Sequence, residues 1–134
     1  MKLLMTMVMA MMALSLTAKD DSQLQLNNGE KWIANQATHD GMTVIGELMA
    51  KADADETGAL VTGLEKEIQA IIRGCTMKGA AHDELHKVLH PIIETVASLK
   101  AAANPADRQK SIDTLLALNT AYFAHFQVSG ETTD

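Results

Sequence analysis

The clearest helix signal in the chain lies in residues 104–126, NPADRQKSIDTLLALNTAYFAHF. Asn104 is a favourable N-cap residue, Pro105 suits the first helical position, and Asp107 places a negative charge in the first turn. Apolar residues then recur at spacings of three and four, as on one face of an α-helix. They are Ile112, Leu115, Leu116, Tyr122, Phe123 and Phe126. The pattern predicts a fourth helix that frays into residues 129–134.

The first half of the chain predicts two further helices. The first begins near Asn27 or Asn28, either of which can cap a helix, and runs to about Ala52. The second starts after residues 55–57 and stops near Gly74, because glycine favours helix termination. The apolar stripe of this second helix consists of Leu60, Leu64, Ile68, Ile71 and Ile72.

A third helix is predicted to start around Gly79 or Ala80. Its apolar positions are Leu85, Val88, Leu89, Ile92, Ile93, Val96 and Leu99. Pro91 lies inside this pattern, where it lacks a backbone N–H and its ring collides with the carbonyl of Lys87. We therefore expect the third helix to be kinked or broken near Pro91.

These segments define an all-α fold, because few stretches show the alternation that is typical of strands. The connections are short, so consecutive helices should lie side by side in opposite directions. We predict an up-down-up-down antiparallel four-helix bundle that occupies residues 19–134 as one domain.

Residues 1–18 have the pattern of a secretory signal peptide. Lys2 is followed by an apolar run over residues 3–16, and small residues precede the charged stretch that begins at Lys19. We therefore expect a periplasmic or secreted protein without stable membrane insertion after cleavage. An uncleaved N-terminal anchor is the alternative, although the apolar run is short for a membrane span.

The charge of the chain after the signal peptide limits its partners. Its 116 residues contain ten Lys and Arg against seventeen Asp and Glu, which gives a net charge of −7. An acidic protein is a poor ligand for nucleic acid or for an anionic membrane surface, so we expect neither as a partner.

The candidate metal ligands are concentrated in residues 75–90. This segment contains the only cysteine, one methionine and three of the five histidines. Soft and borderline metal ions prefer thiolate, thioether and imidazole ligands, and two histidines four residues apart on a helix can reach one ion. We expect Cys75, Met77, His82 and His86 to bind a metal, copper(I) before zinc. The alternatives are a buried, inert Cys75 and histidines that are hydrogen-bonded or solvated.

Two other functions fit the sequence. One is a haem-binding electron-transfer or sensor bundle, in which Ala37, Gly41 and Gly46 provide space for the haem. Its axial ligands would come from His39, Met42, His82, His86 and His125. The other is a non-metal interaction module. It would form a homodimer through Trp32 and His39, which we expect opposite the core stripe of the first helix.

Catalytic motifs give no comparable signal. There is no Cys-x-x-Cys-His sequence for covalent haem and no Glu-x-x-His pair for a di-iron site. The sequence from His82 to His86 has its glutamate one position too late for a zinc protease. No oxyanion-hole signature accompanies Cys75, so we expect a binding protein rather than an enzyme.

The run Cys75-Thr76-Met77-Lys78-Gly79, followed by Ala81-His82, Leu85-His86 and Pro91-Ile92-Ile93, resembles a motif of small exported helical proteins in environmental bacteria. The resemblance covers the central third of the chain, with residues 28–32 as a second block. It implies a four-helix bundle with a site around Cys75, Met77, His82 and His86, and no particular reaction. The predicted architecture is also similar to that of cytochrome b562, in which a methionine and a histidine hold haem.

Overall fold

The computed structural model describes residues 23–130, so the predicted signal peptide and the last four residues lie outside the described part of the chain. Six elements follow one another in the described residues. They are β1 (Trp32–Ala34), α1 (Gln36–Ala50), α2 (Gly58–Gly74), α3 (Gly79–Ala101), α4 (Pro105–His125) and β2 (Phe126–Val128).

The four helices form a bundle, which confirms the predicted fold class. Helix α1 packs against α2 and α4, and α3 packs against α4 and α2, so the helices enclose one core. The largest side chains that are fully buried in it include Tyr122, Phe126, Met42, Ile45, Leu64 and Ile71. Within the described residues, no helix has the length and apolar character needed to span a membrane.

The start of α4 follows the sequence signal. The Oδ1 atom of Asn104 accepts a hydrogen bond from the backbone N–H of Asp107 at 2.9 Å, and Pro105 occupies the first helical position. This side-chain cap satisfies one of the donors that a helix leaves unpaired at its N-terminus. The predicted bounds of α2 and the predicted start of α3 at Gly79 are also confirmed.

The predicted start of the first helix is wrong. Asn28 and Gly29 have φ values of 53° and 84°, and Asn27 and Glu30 exchange two backbone hydrogen bonds of 2.8 and 3.0 Å across them. An Asn-Gly pair readily adopts two consecutive left-handed conformations, which favours a tight turn over helix initiation. Helix α1 therefore begins only at Gln36.

The two short strands join the beginning and end of the described chain. Strand β1 pairs in parallel with β2, with Trp32 opposite Phe126 and Ala34 opposite Val128. Phe126, which the sequence pattern placed on the fourth helix, is the first residue of β2 and is almost completely buried. Its apolar spacing identified a core position correctly but did not show that the helix ends at His125.

Pro91 does not break the third helix. Helix α3 is continuous from Gly79 to Ala101 with Pro91 inside it, so only the kink remains a prediction. Proline removes one hydrogen bond from a helix. The neighbouring residues Val88, Leu89 and Ile92 are buried in the core, and their burial favours continuation of the helix.

Candidate functional site

The connection between α2 and α3 positions Cys75 and Met77. Cys75 has extended backbone angles because α2 ends one residue earlier, so it does not continue the apolar row of that helix. Cys75 and Met77 are both partly buried and pack against the hydrophobic core. The side chain of Asn35 fixes the start of the connection by donating a 2.8 Å hydrogen bond to the carbonyl of Gly74.

Three histidines follow on the first turns of α3. The imidazole rings of His82 and His86 have centroids 4.3 Å apart, and those of His86 and His90 are 4.8 Å apart. His82 is partly buried, whereas His86 and His90 are exposed. We refer to His82, His86 and His90 together as the histidine row.

The row changes the acid–base behaviour of its central member. Although most of the side chain is exposed, partial desolvation lowers the pKa of His86 below its ordinary value of 6.5, and positive charge on His82 or His90 lowers it further. The carboxylate of Asp83 opposes this effect. The neutral imidazole, which is the form that binds metal, is therefore favoured at His86.

Glu84 and Lys87, which lie next to the histidine row, form an ion pair. Lys87 forms a 2.7 Å ion pair with Glu84 on the same helix, and the second oxygen of Glu84 accepts a 3.2 Å hydrogen bond from the backbone N–H of Gln25. This contact fastens the segment before β1 to the first turns of α3. Glu84 is thus occupied by two partners beside the histidine row.

The structure brings two of the predicted ligands together. His82 and His86 form a close pair, as their spacing predicts. Over residues 23–130, however, no three His, Cys, Asp or Glu side chains are grouped so that they could hold one ion. The predicted set is therefore incomplete in this arrangement, because Cys75 does not join both histidines.

The predicted dimerisation face is not an outer face of α1. His39 is buried, with its Nδ1 atom 3.1 Å from the hydroxyl oxygen of Tyr122 and its ring edge-on to Phe123. Trp32 lies in β1, is partly buried against the core, and donates a 2.6 Å hydrogen bond to the carbonyl of Gln25. His39 therefore belongs to the interior of the bundle, whereas Trp32 packs against the core and stays partly exposed.

The sequence contained a signal for the position of His39. Met42 and Met49 follow it by three and ten residues, and both are buried on the core face of α1. This spacing places all three residues on one side of a helix. Ile33 precedes the helix in β1 and is exposed, so it does not belong to the core face of α1.

The space expected for haem is filled by side chains. A Cβ atom on Gly41 would collide with the side chain of Ile71, and one on Gly46 would lie 2.7 Å from Oδ1 of Asn119. Ala37 packs against Gly74, whose added Cβ would lie 2.8 Å from the Cβ of Ala37. These small residues let helices approach closely and do not line a slot.

The two residues that could hold haem as in cytochrome b562 are also engaged in the fold. Met42 is fully buried in the core, and the Nδ1 atom of His125 donates a 2.6 Å hydrogen bond to the carbonyl of Ala121. A haem between them would have to displace both packing and a hydrogen bond.

Comparisons with known proteins do not identify a family. No family model, curated protein or solved structure matches this chain. The resemblance to small exported helical proteins stays a prediction, and function must be argued from the geometry of the site.

Proposed function

We propose that this chain is an exported metal-binding four-helix bundle that holds a soft or borderline ion, copper(I) in preference to zinc. The proposed ligands are Cys75, His82 and His86, with Met77 as a weak fourth ligand. The observation that supports the proposal most is the 4.3 Å separation of the His82 and His86 rings, directly after the connection that contains the thiol and the thioether.

Completing this site requires the connection to rearrange, because Cys75, His82 and His86 are not grouped around one ion in the described residues. Among the described residues, none of 75–78 takes part in the backbone hydrogen bonds that stabilise turns and loops. A short segment of this kind can rearrange at a lower cost than a helix. Binding would exchange the core packing of Cys75 and Met77 for metal bonds while α2 and α3 stay folded.

The ligand types and the charge of the chain favour a cation. Thiolate and thioether sulfur are preferred by copper(I), and imidazole is compatible with copper or zinc. A neutral His86 needs to release no proton before it binds. The formal net charge of −6 for the whole chain attracts cations to the surface over distances of about a Debye length.

Competition with a copper(I) chelator under reducing conditions tests the proposal. We expect the reduced protein to take copper(I) from the chelator, and we expect Cys75→Ser and His82→Ala each to weaken binding. His125→Gln is the matched control, because His125 lies at the end of α4 and is not a proposed ligand. Binding that is unchanged in the Cys75→Ser, His82→Ala double variant would refute the proposal.

A haem-binding bundle is the weaker alternative, because the small residues that would make room for haem contact neighbouring side chains. The absorbance spectrum of the protein after haem addition tests it, and a Soret band would favour haem over copper or zinc.

A homodimer is tested by light scattering at several concentrations. Mass spectrometry of protein recovered from the periplasm tests export, since cleavage would place the new N-terminus near Lys19.

A further inference from the structure

The histidine row extends beyond the proposed ligand set. His90 continues the spacing of His82 and His86, and its ring is stacked on that of His86 with an interplanar angle of 28°. His90 also lines a surface hollow of about 200 Å³ together with Ile93 and Glu94. Each pair of neighbours has the spacing of a two-histidine chelate.

Helix geometry prevents all three histidines from sharing one ion. Residues four apart are separated by about 6 Å along the helix axis, and His82 and His90 by about 12 Å. Since imidazole nitrogen binds copper or zinc at about 2 Å, neighbours can meet at one ion but the two ends cannot. The described residues accordingly contain no three-ligand group at this position.

We propose that the histidine row is a second metal site, which shares His82 and His86 with the proposed copper(I) site, needs neither Cys75 nor Met77, and binds one borderline divalent ion such as copper(II) when copper(I) is absent. The ion occupies one of two overlapping chelates, His82–His86 or His86–His90. Both chelates need His86, and a neutral imidazole offers a single unprotonated nitrogen, so the row holds one ion at a time.

The ligand set determines the class of ion. All the protein ligands in the row are imidazole, which suits copper(II), nickel(II) and zinc. Water can complete the coordination because His86 and His90 are exposed. The charged neighbours are compatible with a cation: Lys87 is paired with Glu84, and Asp83 and Glu94 are exposed carboxylates on the same helix.

Copper(II) binding to the full chain with Cys75→Ser tests this site, since the substitution removes the thiol that copper(II) would oxidise. Electron paramagnetic resonance counts the imidazole nitrogens on the ion, and a competition titration gives the affinity. The variants His82→Gln, His86→Gln and His90→Gln are compared with His125→Gln as a matched control. Circular dichroism verifies that each variant is folded.

We expect two imidazole nitrogens on copper(II) in the parent, in His82→Gln and in His90→Gln, because each of these proteins keeps one intact chelate. Removal of either terminal histidine should weaken binding only about twofold, since one of two alternative arrangements is lost. His86→Gln should reduce the nitrogen count to one and weaken binding by at least about tenfold.

Other results would overturn the second site. If the Cys75→Ser protein does not bind copper(II), the second site is refuted, and the proposed thiol-dependent copper(I) site is not affected. If His90→Gln leaves the copper(II) affinity unchanged while His82→Gln and His86→Gln lower it equally, only His82 and His86 bind the ion. That result would overturn the proposal of two overlapping chelates. Conversely, intact copper(II) binding together with copper(I) binding that does not depend on Cys75 would refute only the proposed function.

Discussion

The Nδ1 atom of His39 in α1 lies 3.1 Å from the hydroxyl oxygen of Tyr122 in α4, and both side chains are buried. The same tyrosine ring stacks on Phe126 of β2 at a centroid distance of 4.9 Å. A polar contact in the core thus connects the first helix to the last helix, next to the paired strands β1 and β2. Buried polar groups need such partners, because an unpaired one is costly.

We expect Tyr122→Phe to lower the free energy of unfolding by about 1 kcal/mol, since it removes a hydrogen bond and keeps the aromatic ring. Urea denaturation followed by circular dichroism measures the change. A double-mutant cycle with His39→Phe isolates the contribution of the contact. A coupling energy of zero would show that the contact between the two side chains does not stabilise the fold.

The close approach of α1 and α4 makes a second prediction. A Cβ atom on Gly46 would lie 2.7 Å from Oδ1 of Asn119, whose Nδ2 donates a 2.8 Å hydrogen bond to the carbonyl of Met42. Asn119 is buried and held by this bond. We therefore expect Gly46→Ala to destabilise the protein by about 1–3 kcal/mol, despite the higher helix propensity of alanine.

The control for this prediction is Gly58→Ala at the start of α2. A Cβ atom on Gly58 would have no neighbour within 4 Å. Alanine there should raise the free energy of unfolding by about 0.4–1 kcal/mol, because it restricts the unfolded chain without a clash. Thermal denaturation of both variants checks the opposite signs, and equal shifts in Tm would contradict the steric explanation.

Much of the bundle could be predicted from local signals, because the start of α4 and the bounds of α2 depend on residues close in sequence. The strand pair could not be predicted in this way, since the pairing of Trp32 with Phe126 joins residues that are far apart in the chain. A three-residue strand also gives almost no periodicity. The Asn28–Gly29 pair is a local turn signal, and it indicates that α1 begins after these residues.

The candidate site was predictable only in part, for a similar reason. The spacing of His82 and His86 follows from one helix, and the structure places their rings together. The position of Cys75 depends on where α2 ends and on how the connection packs against the core, which involves several elements. Helical periodicity therefore could not show that Cys75, His82 and His86 are not grouped around one ion in the described residues.

The strand pair leads to a third prediction. Phe126 is 1% exposed and stacks on Tyr122, so Phe126→Ala should cost about 3–5 kcal/mol through lost burial and a cavity. Hydrogen exchange should also become faster at residues 32–34, which pair with β2. Val128→Ala, at a partly buried position of the same strand, should cause a smaller loss. Unchanged exchange in Phe126→Ala would mean that β1 is held independently of β2.

The last prediction concerns the pH dependence of His86. Partial desolvation and the neighbouring His82 and His90 hold its pKa below 6.5, so the folded protein binds a proton there less readily than the unfolded chain. The contribution of His86 to stability is therefore present above pH 6.5. It is lost as the pH falls from about 6.5 through the lower folded pKa. Metal affinity should weaken in the same range, because protons then compete for the ring nitrogen.

Proton NMR titration of the imidazole signals measures this effect directly. His90→Gln removes one of the positive charges that oppose protonation of His86 and should move its pKa back toward 6.5. His125→Gln, at the end of α4, should leave the titration of His86 unchanged. If His86 titrates at its ordinary pKa in every variant, neither desolvation nor the neighbouring histidines change its proton affinity in solution.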